Sequence, residues 1–148
     1  MSSQRALVEG RQTRVSAEAR GILFVLEDDP DARDLLVEVA SDAGWDVRSF
    51  ASIPSMRRAL DHAPPDLLMI DDDVADGRGG DFAHEVRDDR RTQGVDVILL
   101  TGASPLRRDE IATWASVVAK PFNLADLERR LTAIIGRRRT IPAPTAAS

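Results

Sequence analysis

The chain has 148 residues and a net charge of −5, enough for one α/β domain whose core needs no covalent staple. It has no cysteine, no apolar run of membrane-spanning length and no signal-peptide stretch; disulfide scaffolds, thiolate zinc sites and membrane insertion are thereby excluded, and a cytoplasmic protein is expected. Residues 1–20 carry +2, residues 137–148 carry +3 and residues 21–136 carry −10, an acidic body that argues against direct nucleic-acid binding and suits carboxylates gathered around a divalent cation.

Residues 1–20 show no sustained period and read as a flexible N-terminal arm. Ile22–Leu26 (ILFVL) is a short continuous apolar run, the pattern of a strand buried on both faces. Asp29-Pro30 sets an N-cap residue before a proline at the first helical position. Leu35, Leu36 and Val39 continue at helical spacing to a stop at Gly44. Asp46–Phe50 reads as a second strand and Pro54–His62 as a second helix. Leu67–Ile70, entered from Pro64-Pro65, is a third strand ending in Asp71-Asp72-Asp73.

A Gly-rich turn over Asp76–Gly80 leads into a helix through about Asp88. Its end, Asp88-Asp89-Arg90-Arg91, reads as solvated. Val95–Leu100 is a fourth strand, and Ser104-Pro105 repeats the cap-and-proline pattern before a short helix ending near Trp114. Val117–Ala119 is a fifth strand. Asn123 caps a last amphipathic helix that carries Leu124, Leu127, Leu131, Ile134 and Ile135 and stops at Gly136. Arg137–Arg139 would complement that helix C-terminus. The domain is thus expected over residues 21–137, with a flexible tail over 138–148 too short for an output domain.

Five strands alternating with five helices predict a doubly wound, flavodoxin-like five-stranded parallel sheet of order 2-1-3-4-5, its fourth helix shortened. Ligands in such sheets bind beyond the carboxyl ends of the strands, near the switch point between strands 1 and 3. Strand 1 delivers Glu27-Asp28-Asp29 there, strand 3 delivers Asp71-Asp72-Asp73, strand 4 delivers Thr101-Gly102 and strand 5 delivers Lys120-Pro121. Lys120 is the one lysine among 20 basic residues, which suits a position needing a compact ammonium rather than a guanidinium. Acids on neighbouring strand ends repel unless a cation joins them, and hard oxygen ligands suit Mg2+, with Mn2+ as an alternative. The task of such a site is to hold a phosphoryl group between metal, hydroxyl and ammonium while a central carboxylate acts as nucleophile.

These residues resemble the receiver domain of bacterial two-component response regulators. ILFVLEDDPDARDLL is similar to the family's first strand and helix, PDLLMID to the third strand with its phosphoacceptor, and DGRGGDF to the turn that follows. VILLTG and AKPF match the strand ends bearing the Thr/Ser and Lys. The resemblance implies that Asp71 becomes phosphorylated. It implies that Asp28 binds the metal directly and Glu27 directly or through water, with the backbone carbonyl of Asp73 completing the set. It implies that Thr101 and Lys120 each contact a phosphoryl oxygen, that Gly102 leaves room for the group, and that the Lys120-Pro121 bond is cis. The implied donor is a sensor histidine kinase or a histidine phosphotransfer protein, and the implied output is binding of a downstream protein or onward phosphorelay by a stand-alone regulator.

Four features depart from that pattern. Val117 occupies the position of the aromatic rotamer switch and the chain has no tyrosine; Trp114, six residues before the lysine, could substitute but is read chiefly as core. The segment from Thr101 to Lys120 is short, so a non-standard output face around strand 5 is expected. Ala75 replaces a proline and should loosen its loop, and Asp72 and Asp73 add charge beside Asp71. Asp73, two residues after the acceptor, is expected to alter the lifetime of the phosphoryl group. His62 and His84 match no metal-ligand spacing and read as surface residues. Two alternatives stand beside this reading: a receiver fold that docks without phosphate, and a haloacid dehalogenase-like Mg2+ phosphatase with Asp71-Asp72-Asp73 as its acid motif.

Overall fold

The computed structural model describes residues 21–74 and 77–140. The expected arm over 1–20, residues 141–148 of the expected tail, and Ala75 with the loosening expected of it lie outside the described residues. The elements in chain order are β1 (Ile22–Leu26), α1 (Pro30–Asp42), β2 (Asp46–Phe50), α2 (Ile53–His62), β3 (Leu67–Asp71), β4 (Asp73–Val74), β5 (Gly77–Arg78), α3 (Gly79–Asp88), β6 (Asp96–Thr101), α4 (Pro105–Ile111), β7 (Ser116–Ala119) and α5 (Leu124–Thr140).

Five parallel strands form one sheet in the order β2-β1-β3-β6-β7. This is the 2-1-3-4-5 arrangement, with the switch point between β1 and β3. Side chains along each strand alternate between the two faces, so each continuous apolar run supplies two core layers at once. Leu23, Val25, Leu67, Met69, Ile98 and Leu100 pack against Leu36, Val39 and Ala40 of α1 and Leu127, Leu131 and Ile135 of α5. Phe24, Leu26, Leu68, Ile70, Val97 and Leu99 pack against α2, α3 and Ile111 of α4. Trp45, buried at the entry to β2, donates its indole N–H to the carbonyl of Leu131 at 3.0 Å and so ties the sheet edge to α5.

Local chemistry explains the helix starts. Asp29 accepts from the Ala32 amide at 2.8 Å and Ser104 from the Arg107 amide at 3.3 Å, each just before a proline. Asn123 accepts from the amides of Ala125 and Asp126. Helix α1 ends with Gly44 at φ +103, the left-handed conformation that a residue without Cβ adopts readily. Helix α4 has seven residues, short as expected.

Several expectations need correction. Helix α5 continues through Gly136 to Thr140, so residues 138–140 are helical rather than tail. A glycine inside a helix costs only about 1 kcal/mol, and the buried Ile134 and Ile135 just before it hold that turn on the sheet. Of the leucines that mark the helical spacing, Leu35 and Leu124 are exposed. Helix α4 ends at Ile111 instead of near Trp114. The residues after α3 are not merely solvated: Arg91 pairs with Asp89 and reaches Asp61 of α2 at 3.2 Å, while Thr92 is buried and donates to the carbonyl of Val86 at 2.7 Å. A two-stranded antiparallel ribbon, β4 with β5, interrupts the path from β3 to α3.

Candidate functional site

The site lies where β1, β3, β6 and β7 end. Glu27 continues the β1–β2 ladder by one bond, its amide donating to Phe50 at 3.1 Å, before the chain turns into α1. Its carboxylate accepts from the Asp29 amide at 3.1 Å. From the first turn of α1, the Arg33 guanidinium donates to the carbonyls of Glu27 at 3.0 Å and Asp28 at 3.4 Å. This clamp holds the acidic loop over the end of β3. Asp71, the last residue of β3, is 3% exposed. Its Oδ1 accepts from the Asp73 amide at 3.3 Å and from the Lys120 ammonium. Lys120 is brought in by one further ladder bond, its amide donating to the Thr101 carbonyl at 2.8 Å, and the Lys120–Pro121 peptide is cis.

Carboxylate oxygens of Glu27, Asp28 and Asp71 lie within 4.8 Å of one another. Burial pushes the Glu27 carboxyl up to about 7; the neighbouring Asp71 charge and hydrogen bonds to Asp71 and Asp28 push the same way, and the Asp29 amide opposes them. Such crowding is the electrostatic signature of a place that a small divalent cation would relieve. Three hard oxygen donors beside solvent fit Mg2+ or Mn2+.

The remaining candidates fall differently. The Thr101 side chain is fully buried, and its hydroxyl donates to Asp72 Oδ2 at 2.8 Å while accepting from the Ala103 amide at 3.0 Å. A Cβ on Gly102 would meet no atom within 4 Å. The Asp73 side chain is exposed on β4. Val117 stands opposite Leu99 in the β6–β7 ladder and packs, half-buried, against the second core layer. Trp114 packs on the same layer and meets the exposed His84 edge-on, with ring centroids 5.0 Å apart.

Two residues were missed as contributors. Asp72 does more than add charge beside Asp71. At the bend that follows β3, Asp72, 6% exposed, accepts from the Gly80 amide at 2.9 Å through Oδ1 and from Thr101 through Oδ2. Gly79 opens α3 directly against β3. A Cβ there would stand 2.0 Å from the Asp71 carbonyl oxygen, so only glycine lets the helix start so close to the acceptor strand. For Gly79 a signal was present in the paired glycines Gly79-Gly80.

Residues 23–132 match the family model described as the response regulator receiver domain. The chain belongs to this family. Its members are signalling domains of two-component systems rather than conventional enzymes, and membership sets aside the haloacid dehalogenase-like alternative. The receiver is 30% identical over 126 residues to the transcriptional regulatory protein GltR of Pseudomonas aeruginosa, covering 83% of this chain and 52% of that protein. The chain spans about half the length of the curated relatives it matches.

Solved structures agree on the fold. The receiver domain of a sensor histidine kinase from Pseudomonas aeruginosa, solved with a magnesium ion in its active-site cleft, is 22% identical with a TM-score of 0.66, covering 79% of this chain and 98% of that one. The response regulator TrrA of Thermotoga maritima, solved with Mg2+ and BeF, is 24% identical with a TM-score of 0.65, covering 76% and 97%. Among the described residues, no helix is long and apolar enough to cross a membrane.

Proposed function

We propose that this receiver accepts a phosphoryl group on Asp71 in a Mg2+-dependent reaction, in the cytoplasm, and signals by protein binding or onward phosphorelay. The observation that supports it most is the convergence on one buried carboxylate: Asp71 meets the Lys120 ammonium on one side and the Glu27 and Asp28 carboxylates on the other. A bound Mg2+, held by Asp28, Asp71, the Asp73 carbonyl and Glu27 directly or through water, would supply charge neutralisation for the transferring group. Mn2+ suits the same donors.

The chain's own residues do the rest. An Asp71 oxygen forms the bond to phosphorus while the bond to the donor nitrogen breaks, its electron pair staying on the imidazole of the kinase or histidine phosphotransfer protein. Lys120 exchanges its contact with Asp71 Oδ1 for a phosphoryl oxygen. Burial of Asp71 removes competing water, which strengthens both interactions. Thr101 donates to a second phosphoryl oxygen, Gly102 leaves space beside it, and the exposed Asp73 carboxylate influences how long the acyl phosphate survives.

Intact mass after incubation with acetyl phosphate and Mg2+ tests this, beside Asp71→Asn and an EDTA control. One added phosphoryl group, absent in both controls, is expected. Failure to gain mass together with failure to bind beryllofluoride and Mg2+ would overturn the reading. The aliphatic Val117 and the engagement of Thr101 with Asp72 favour, as a second reading, a receiver fold that docks without phosphate, which is the result those two failures would leave.

A further inference from the structure

We infer that Asp72 is a positioning residue that sets the phosphoryl response by competing for the hydroxyl proton of Thr101. The inference rests on the phosphoacceptor reading above. A threonine hydroxyl has one proton and can donate to one acceptor at a time. In this structure the proton is committed to Asp72 Oδ2 at 2.8 Å, in a fully buried position, while the lone-pair side of the oxygen takes the Ala103 amide. A phosphoryl oxygen on Asp71 needs the same proton. Asp71 is engaged by Lys120 while Asp72 is engaged by Thr101 and Gly80, so the Thr101 hydroxyl must turn from one acceptor to the other.

What makes Asp72 more than a neighbour is its second bond. Its Oδ1 accepts the Gly80 amide at 2.9 Å at the start of α3, and its own amide donates to the Leu100 carbonyl at 2.9 Å. The carboxylate is therefore pinned between β6 and α3 and cannot follow Thr101 when the hydroxyl leaves. Arg78, mostly exposed, is 3.9 Å from Oδ2 and compensates little. Departure of Thr101 thus strands a buried carboxylate oxygen, a loss that opposes the phosphoryl-bound arrangement. Both protein donors point at Asp72, so both of its oxygens must accept. Asparagine satisfies only one of them. With its oxygen kept on Gly80, its amide faces Thr101 and donates to the hydroxyl oxygen, which frees the proton.

The test measures affinity for beryllofluoride with Mg2+ in the wild-type chain, Asp72→Asn, Thr101→Ala and the double variant. Asp72→Asn should bind roughly tenfold tighter, in line with a hydrogen bond to a charged group, and the gain should vanish in the Thr101→Ala background. A structural role for Asp72 would instead persist without the hydroxyl. Equal affinity in Asp72→Asn, or a gain retained in the double variant, overturns the inference and leaves the phosphoacceptor reading intact. No binding by the wild type overturns both. Should Asp72→Asn fail to fold, the hydrogen bond of the Thr101 hydroxyl proton in the wild-type chain, followed by NMR with and without beryllofluoride, decides: loss of the bond to Asp72 supports the competition and its retention overturns it.

Discussion

Replacing Lys120 with methionine removes the ammonium that Asp71 accepts and keeps the length of the stem. What remains is a group of three carboxylates whose oxygens lie within 4.8 Å of one another. Two unit charges at that separation repel by about 3.5 kcal/mol at an effective dielectric of 20. Two features reduce the figure. Glu27, with its carboxyl pushed up to about 7, is only partly ionised at neutral pH, and the Lys120 side chain is 31% exposed, so solvent screens it. A loss of about 2 kcal/mol in the metal-free protein is the working value, below the range for a fully buried pair left without its partner. For a chain of this size it lowers Tm by about 6–8 °C. Mg2+ should change the outcome, because the metal supplies the missing charge and no longer competes with an ammonium for Asp71. Calorimetric melts of wild type and Lys120→Met, each with EDTA and with saturating Mg2+, are the assay. The expected result is a large Tm loss in EDTA that mostly disappears in Mg2+. Equal losses in both conditions, or none in EDTA, would refute the electrostatic account of the site.

Two more predictions follow from the same geometry. Gly79→Ala places a Cβ 2.0 Å from the Asp71 carbonyl oxygen and should cost about 3 kcal/mol in urea unfolding, at the upper end for overpacking, with weaker Mg2+ binding. Gly136→Ala, whose Cβ meets nothing within 4 Å, should be neutral or stabilise by up to about 1 kcal/mol, and similar effects at the two positions would count against the close approach of α3. The Glu27 carboxyl titrates higher in the folded chain than its ordinary 4.5, so between about pH 4.5 and 7 the folded state binds the extra proton and metal-free stability falls as pH rises, levelling off above that window. Glu27→Gln should abolish this slope in unfolding titrations with EDTA.

The sheet was legible because parallel strands buried on both faces carry their whole signal locally. ILFVL and LLMI need no partner to be read as strands, and a cap residue followed by proline marks a helix start within two positions. The acid loops and Lys120 were legible for a related reason: the ends of parallel strands meet in one crevice whatever the detailed packing. What escaped is non-local or depends on side-chain direction. Asp72 looks like its neighbours Asp71 and Asp73 in sequence, yet one is paired with lysine, one is exposed on a ribbon and one is buried against Thr101, 29 positions away. Only the partners that the fold brings to each of them separate the three. The staple from Arg91 to Asp61 and the clash that requires Gly79 are likewise products of how elements meet, not of any short pattern.

Val117 and Asp72, separate departures in sequence, bear on the same step. The resemblance to the family implies at this position an aromatic ring that swings inward on phosphorylation. Here the residue is an aliphatic side chain held half-buried against the core layer beneath β7; it is branched at Cβ and has little rotameric freedom. Under the proposal above, the hydrogen bond from Thr101 to Asp72 would carry the balance that a ring would otherwise set. Such a balance has a different character from a packing switch. Its strength depends on one acceptor oxygen rather than on the fit of a ring, so a single isosteric change from carboxylate to amide shifts it without opening a cavity. The same Asp72 carboxylate also accepts the Gly80 amide at the start of α3. Under the proposal above, release of Thr101 would change the hydrogen bonding of the group that receives the Gly80 amide, and the α3–α4 side of the domain, where His84 meets Trp114, would be the surface that registers the acceptor's state.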